Sequence, residues 1–464
     1  GAMSGQAQSD SGSEHHTFLH HEMSAEEHEK LKTLRRAAGA SFIGNFIEWF
    51  DYASYGYLAA VIGTVFIPSE DKNIQLISAF AIFAMSFILR PVGGLIWGIW
   101  GDKYGRRSAL SWSILIMSGS TFLIAFLTGH KTIGLAAAIC LLVLRMIQGF
   151  SASGEYAGAG TFLAEYAPPK KRGMYTALVP ASTAVGLLAA SFLTACLFHF
   201  LSEAQIESWG WRIPFLLAGP LGMIGRYIRL HLEDSPTYIA MKEAISGVQK
   251  QSVPMSKVLR DHTRTICVSF GVASLNAVAF YLLLSYMPTY VEQELGFSSD
   301  LATALSTAPL IVYIGSIMVM GHLSDTHGRR KMLLIASVAF IVLTVPIFML
   351  MGTRNVWVVL LCEIAFAIML TINDGTLATF LAESFPTEVR YTGFALSFNT
   401  ANALLGGTAP TIATALIQYT GSSLAPAYYL AFIAFLALTA MLAIPQHATS
   451  ALDREQAESA QSQG

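Results

Sequence analysis

The sequence predicts an all-α membrane protein with twelve transmembrane helices in two pseudo-symmetric six-helix lobes. Three observations carry that expectation. Of the 464 residues, 53% are hydrophobic and only 12% charged, whereas an ordinary soluble domain carries about 25% charged residues. Apolar runs of bilayer-crossing length recur along the chain, six on each side of a polar stretch. A basic turn, Gly101-Asp102-Lys103-Tyr104-Gly105-Arg106-Arg107, has an echo roughly 220 residues later at Gly321-His322-Leu323-Ser324-Asp325-Thr326-His327-Gly328-Arg329-Arg330-Lys331. A doubled hydrophobic architecture of this length is the usual layout of a secondary transporter. A soluble enzyme of ordinary build is excluded.

The runs fall at 37–62, 75–100, 109–128, 133–163, 173–199 and 213–230, then at 266–290, 301–321, 332–351, 356–382, 392–418 and 426–445. Their apolarity is continuous rather than alternating, which argues for helices, because a spanning segment must close its backbone hydrogen bonds internally. Five divisions follow: a disordered tail over 1–36, an N-terminal lobe over 37–230, a linker over 231–265, a C-terminal lobe over 266–445 and a second disordered tail over 446–464. The paired histidines of the first tail, His15-His16 and His20-His21, are a weak metal signal. Cys140, Cys196, Cys267 and Cys362 lack ligand spacing and read as small core residues.

Orientation follows from lysine and arginine. Alternate loops on one side hold Lys30, Lys32, Arg35, Arg36, Lys103, Arg106, Arg107, Lys170, Lys171 and Arg172, and later Arg329, Arg330, Lys331 and Arg390. The opposite loops hold only Lys72, Lys131, Arg212 and Arg354. The asymmetry places both termini in the cytoplasm. A second repeat supports the duplication: Ala164-Glu165-Tyr166-Ala167-Pro168 runs on to Arg172-Gly173, and Ala382-Glu383-Ser384-Phe385-Pro386 runs on to Arg390. In each, an acid ends the helix, a proline stops it and a basic residue enters the next one. Asp102, Arg106, Arg107, Glu165, Asp325, Arg329, Arg330, Glu383 and Arg390 are therefore expected to form gates, charge networks that hold the inner side shut and break on opening.

The turn at 101–107 resembles the signature loop of the major facilitator superfamily, and Arg145-Met146-Ile147-Gln148-Gly149 its fourth-helix motif. Gly44-Asn45-Phe46-Ile47-Glu48-Trp49-Phe50-Asp51, Leu89-Arg90-Pro91-Val92-Gly93-Gly94, Gly154-Glu155-Tyr156 and Trp209-Gly210-Trp211-Arg212-Ile213-Pro214-Phe215 together resemble its metabolite:proton symporters. That family includes carriers of proline and glycine betaine, α-ketoglutarate, citrate and shikimate. Ser285-Tyr286-Met287-Pro288-Thr289-Tyr290 is similar to the osmolyte carriers, whereas Gly406-Gly407-Thr408-Ala409-Pro410 is closer to the citrate carriers. The resemblance implies the major facilitator fold and, for Arg145, a coupling role, with a structural role as the rival reading.

Ionisable groups at membrane depth point to a pathway, a partner or a proton site. Glu48 lies twelve residues past Arg36, and Arg90 twelve before Asp102, which puts both roughly 18 Å from the inner edge, near the midplane. Glu48 and Asp51 share a helix face. Glu155, ten residues before Glu165, lies at a similar level. A guanidinium offers a rigid fork to a substrate carboxylate, and low dielectric favours the neutral form of an acid. Glu48, Asp51, Arg145 and Glu155 are therefore candidates for proton coupling. Arg90 is a candidate for substrate, with a buried ion pair to Glu48 or Asp51 as the rival reading; for Glu155 the rival is helix packing. Tyr52, Asn276, Tyr281, Tyr286, Asp374 and Asn399 complete the substrate candidates, each of the neutral ones also able to serve as interhelical glue. Asp374 lies either on the cavity or as a cap on a broken helix, and Glu363 is expected to be solvated near the outer face.

These readings converge on a proton-coupled symporter importing a small carboxylate-bearing metabolite by alternating access: a di- or tricarboxylate, a keto acid, or a zwitterion such as proline or betaine. The alternative is a proton-coupled antiporter exporting a metabolite or drug. No Walker loop, metal cluster or triad spacing occurs, so no enzyme activity, cofactor or metal is expected and the proton gradient supplies the drive. The expected partners are the substrate, protons and the lipid bilayer of a bacterial inner membrane, with no nucleic acid, and the unit is expected to work as a monomer.

Overall fold

The structure, a computed structural model, describes the backbone of residues 2–246, 255–444 and 450–463; side chains are described for these except 2–23, 246, 255, 257–258, 299, 459–460 and 462–463. The tail histidines lie outside the described side chains. Helices dominate, and no strand occurs among the described residues.

Twelve spans can be traced. Span 1 is the end of the helix Ala2–Tyr57 continued by Ala59–Phe66; span 2 joins Lys72–Ile88 to Arg90–Tyr104; span 3 is Arg106–Ile124. Span 4 joins Leu135–Ala152 to Glu155–Tyr166, span 5 joins Arg172–Thr176 to Leu178–Phe200, and span 6 is Arg212–Leu230. In the second lobe, span 7 is Thr263–Phe280 with a π-helical stretch at Tyr281–Tyr286 and a last piece, Met287–Gln293. Spans 8, 9 and 10 are Ser299–His327, Arg329–Met351 and Val356–Glu383. Span 11 runs Arg390–Ala401, Asn402–Gly406 and Ala409–Thr420, and span 12 is Ala425–Leu442. Eight of these are long and apolar enough to cross a membrane by hydropathy alone; spans 1, 3, 6 and 11 are the others. Those four are shortened, broken, or enriched in serine, glycine and arginine. Large apolar side chains such as Ile88, Phe192 and Trp357 are more than two-thirds exposed on the outside of the bundle, as a lipid-facing surface requires.

The two repeated turns end spans 2 and 8 in the same way. Gly105 (φ 105°) and Gly328 (φ 94°) each take a positive φ that a side chain would oppose, so the chain reverses in one residue. The lobes meet where small residues let backbones approach. Span 2 lies against span 11: a Cβ at Gly98 would stand 2.6 Å from Thr392 Cα. Span 5 lies against span 8: a Cβ at Gly321 would stand 2.5 Å from the Gly173 carbonyl oxygen.

Both tails differ from expectation. The helix of span 1 extends back through the polar segment, where Ala25-Glu26-Glu27-His28-Glu29-Lys30 are strong helix formers and Glu26 sits four residues before Lys30. At the other end, Ala451–Gln463 is a helix rather than a disordered tail, docked through Leu452, which is fully buried. The expected linker holds two short helices, Pro236–Ser246 and Met255–Asp261.

Candidate functional site

Pro91 sets the position of the central cation. With no N–H, it cannot continue the ladder of span 2, and the helix breaks at Leu89 and restarts at Arg90. The Arg90 guanidinium turns toward span 1, where its Nη1 donates to Glu48 Oε1 at 2.5 Å. Three residues along span 1, Asp51 Oδ2 accepts from Arg145 Nη1 at 2.6 Å. Glu48, Asp51, Tyr52, Arg90, Arg145 and Gln148 line one pocket. Each ion pair uses one contact and leaves atoms over: Glu48 Oε2, Asp51 Oδ1 and the Nε atoms of Arg90 and Arg145 are buried without a hydrogen-bond partner. Arg90 lies over the Phe87 ring at 4.7 Å and Arg145 over the Tyr55 ring at 4.4 Å. The sequence left Arg90 open to Glu48 or Asp51; its partner is Glu48, and Asp51 belongs to Arg145.

A second pocket adjoins this one at Trp49, whose ring centroid is 5.9 Å from Arg90 Cζ. Tyr156, Asn276, Phe280, Tyr313 and Phe398 are among its walls. Tyr156 stacks on Phe398 at 4.0 Å, Trp49 meets Phe280 edge-on at 5.4 Å, and the Tyr156 hydroxyl is buried without a partner. Asp374 stands behind this wall. Its Oδ2 accepts from Tyr313 Oη at 2.6 Å, and its Oδ1 from Asn276 Nδ2 at 2.7 Å and Asn373 Nδ2 at 3.2 Å. Among the described residues, only neutral donors meet this carboxylate.

The remaining candidates lie elsewhere. Glu155 receives a dedicated guanidinium: Arg229 Nη1 and Nη2 reach its two oxygens at 3.0 and 2.8 Å, and Ser113 adds 2.8 Å. These are the contacts of helix packing. Asn399 spends its amide on the Ser153 and Ala395 carbonyls, both at 2.8 Å, and Tyr286 packs near Tyr290; neither lines the two pockets. Tyr281 sits in the aromatic layer with Trp49, Tyr52 and Phe87, its hydroxyl without a partner. Glu363 is not solvated: it is 2% exposed, and neither carboxylate oxygen has a partner. Trp357 and Leu361 near the same end of span 10 are exposed, so it is the face of the helix, turned toward its neighbours, that buries Glu363.

At the basic end of the bundle the repeated motifs interlock. Arg106 holds Glu165 through Nε at 2.9 Å and Nη2 at 3.1 Å, and Asp102 at 3.0 Å. Arg329 holds Glu383 at 2.7 Å and Asp325 at 2.6 Å. The next arginine of each repeat crosses to the other lobe: Arg390 reaches Glu165 at 2.5 Å, and Arg172 reaches Glu383 at 2.8 Å. The turn aspartates cross as well. Asp102 accepts from the Tyr391 and Thr392 N–H groups at 3.1 and 2.9 Å, and Asp325 from those of Gly173 and Met174 at 2.7 and 3.0 Å. Each thereby caps the first turn of a helix in the opposite lobe, where anions are favoured. This end is closed. Arg107 and Arg330 stand outside the crossing, on the Leu232 carbonyl and on those of Met441 and Ile444.

The family model described as Major Facilitator Superfamily matches residues 41–410 and, in a second overlapping match, 269–462. The chain belongs to that superfamily. Among curated proteins, it is 36% identical over 411 residues to the proline/betaine transporter of Escherichia coli K12, covering 87% of this chain and 82% of that one. To the glycine betaine/proline/ectoine/pipecolic acid transporter OusA of Dickeya dadantii it is 36% identical over 425 residues, covering 90% and 85%. Among solved superfamily structures, the proton:xylose symporter XylE superposes with a TM-score of 0.76 at 15% identity, covering 92% of this chain and 99% of that one. The human organic anion transporter MFSD10 gives 0.64 at 16% identity. These two likenesses concern the fold. The protein is thus a multi-pass membrane transporter of the superfamily and not an enzyme.

Sequence reasoning missed Arg172, Arg229 and Tyr313. For Arg172 the signal was present, since it follows Glu165 by the same seven residues that separate Arg390 from Glu383. For Arg229 and Tyr313 no local pattern exists, because their partners come from distant spans.

Proposed function

We propose that this protein is a proton-coupled symporter that imports a small zwitterion of the proline or betaine kind, with its basic end in the cytoplasm. The observation that carries the reading is the arrangement of charge. Arg90 has unused donors on one pocket, while Asp374, met only by neutral donors, lies behind the aromatic wall of the other. The charge of the first suits a carboxylate and the second an ammonium, because aromatic faces attract a cation. A di- or tricarboxylate would bring like charge toward Asp374. The identity to proline/betaine transporters supports the same choice, as does the lysine and arginine asymmetry for the orientation.

Coupling follows from the Glu48–Arg90 pair. With Glu48 ionised, one arm of the guanidinium is engaged at 2.5 Å. A proton on Glu48 removes the opposing charge and frees Arg90 for the substrate carboxylate, so proton and solute are carried together. Asp51 and Arg145 stand ready to repeat the exchange one turn away. The basic end then opens by breaking the crossed arginine contacts.

The test is uptake into proteoliposomes under an inward proton gradient, with labelled proline, glycine betaine, citrate, α-ketoglutarate and shikimate. Gradient-driven uptake of proline or betaine, lost in Arg90→Ala, is the expected result. Uptake of citrate alone would overturn the zwitterion reading, and gradient-driven efflux would overturn import.

A further inference from the structure

We infer that the C-terminal helix Ala451–Gln463 is a latch on the basic-end gate, anchored on its own lobe and holding the other lobe closed. The anchor consists of contacts within the C-terminal lobe. Leu452 is fully buried, and the helix packs against span 10. Glu455 Oε1 accepts from the Thr387 N–H at 2.8 Å, and Oε2 accepts from Thr387 Oγ1 and from Arg390 Nη2 at 3.1 Å. Ser450 begins the helix, its hydroxyl accepting the Asp453 N–H at 3.1 Å.

Two side chains then leave that lobe. Asp453 Oδ1 accepts from Arg172 Nη1 at 2.8 Å, and Gln456 Oε1 from Arg172 Nη2 at 2.5 Å. Arg172 enters span 5 and belongs to the N-terminal lobe. The same Nη1 also donates to Glu383 at 2.8 Å, so the helix adds an acceptor to an arginine already crossing between the lobes. Charge-assisted contacts of this kind are the stronger ones.

The distinction between anchor and bridge makes this a latch rather than a stabilising decoration. Opening the basic end separates Arg172 from the C-terminal lobe and breaks the Asp453 and Gln456 contacts, while Leu452 and Glu455 travel with their own lobe. A contact made in one state and lost in the other biases the equilibrium toward the first. The bridge is also the accessible part of the gate. The Asp453 side chain is 44% exposed, whereas those of Asp102, Arg106, Glu165 and Arg390 are wholly buried. Asp453 and Gln456 thus tune the closed state without being needed to build it.

The inference rests on the reading of the basic end as a cytoplasmic gate, and its test reads conformation rather than transport. Ala378, 1% exposed, faces Gly160 across the lobe interface. In the full chain with the four native cysteines replaced, Ala378→Cys is labelled by a maleimide added from the cytoplasmic side. Asp453→Asn combined with Gln456→Ala is expected to label roughly 3- to 30-fold faster than the parent. A chain ending at residue 449 should match it, while Glu458→Gln, an exposed position on the same helix, should leave the rate unchanged. An unchanged or slower rate in the double variant and the shortened chain would overturn the latch. Glu165→Gln with Glu383→Gln serves as the opened reference; if it too stays unlabelled, gate and latch both fall. Failure of the uptake panel with faster labelling intact would sink only the substrate assignment.

Discussion

At the level of single residues, the bundle uses buried ion pairs in two ways. Glu155 and Arg229 are matched at both oxygens, so the pair holds spans 4 and 6 in place. Glu155→Ala leaves the buried Arg229 guanidinium with the Ala40 and Leu110 carbonyls but no counter-charge and is expected to cost about 3–5 kcal/mol, measured as lost thermal stability in detergent. Glu48 and Arg90 meet at one contact only, so fewer bonds oppose their separation, as the proposed coupling requires. Glu48→Gln is expected to keep substrate counterflow while losing stimulation by the proton gradient. Should gradient stimulation persist in that variant, Glu48 would not be the proton carrier. Arg90→Lys keeps the charge and discards the fork; a lost charged hydrogen bond of about 1.5–3 kcal/mol weakens apparent substrate affinity roughly 10- to 150-fold. That Glu48, Asp51 and Arg90 share one level was legible, since Glu48 and Arg90 each lie twelve residues from a charged end of their span, and the three line one pocket. Partner choice was not, because which carboxylate meets which arginine depends on helix rotation and on the break made by Pro91.

At the level of helices, the spans, their number and the two repeated turns were legible because continuous apolarity and glycine-bearing basic turns are local signals. The docked C-terminal helix was not. Its composition is polar, and the groups that anchor it through Glu455, namely Thr387 and Arg390, lie 68 and 65 residues away. Glycine contacts between helices have a direct test. In Gly321→Ala the new Cβ would stand 2.5 Å from the Gly173 carbonyl oxygen. A strain of about 1–3 kcal/mol in the closed state is expected to speed maleimide labelling of Ala378→Cys roughly 5- to 150-fold. The latch itself should be insensitive to pH across the physiological range. Burial pushes the Asp453 carboxyl up, but hydrogen bonds from Arg172 and Ser450 and the charges of Arg172 and Arg329 outweigh it, leaving it below the ordinary value. A depressed acid contributes docking above its undocked value and loses it as pH falls through the docked one, so the window lies below about pH 3.9. Amide exchange of residues 451–463 should therefore show unaltered protection down to about pH 5; protection lost between pH 7 and 5 would contradict that placement.

At the level of the whole molecule, the N-terminal half is not complete by itself. Arg106 finds Asp102 and Glu165 in its own lobe, but among the described residues Arg172 finds there only the Ala164 carbonyl at 3.2 Å. Its acids, Glu383 and Asp453, come 211 and 281 residues later. At the usual pace of synthesis the wait for Glu383 is about 10–40 s. During that interval Arg172 and the bare backbone at Gly98 and Gly173 lack the groups that cover them in the finished fold. The first lobe alone therefore lacks the two acids that Arg172 meets in the finished gate.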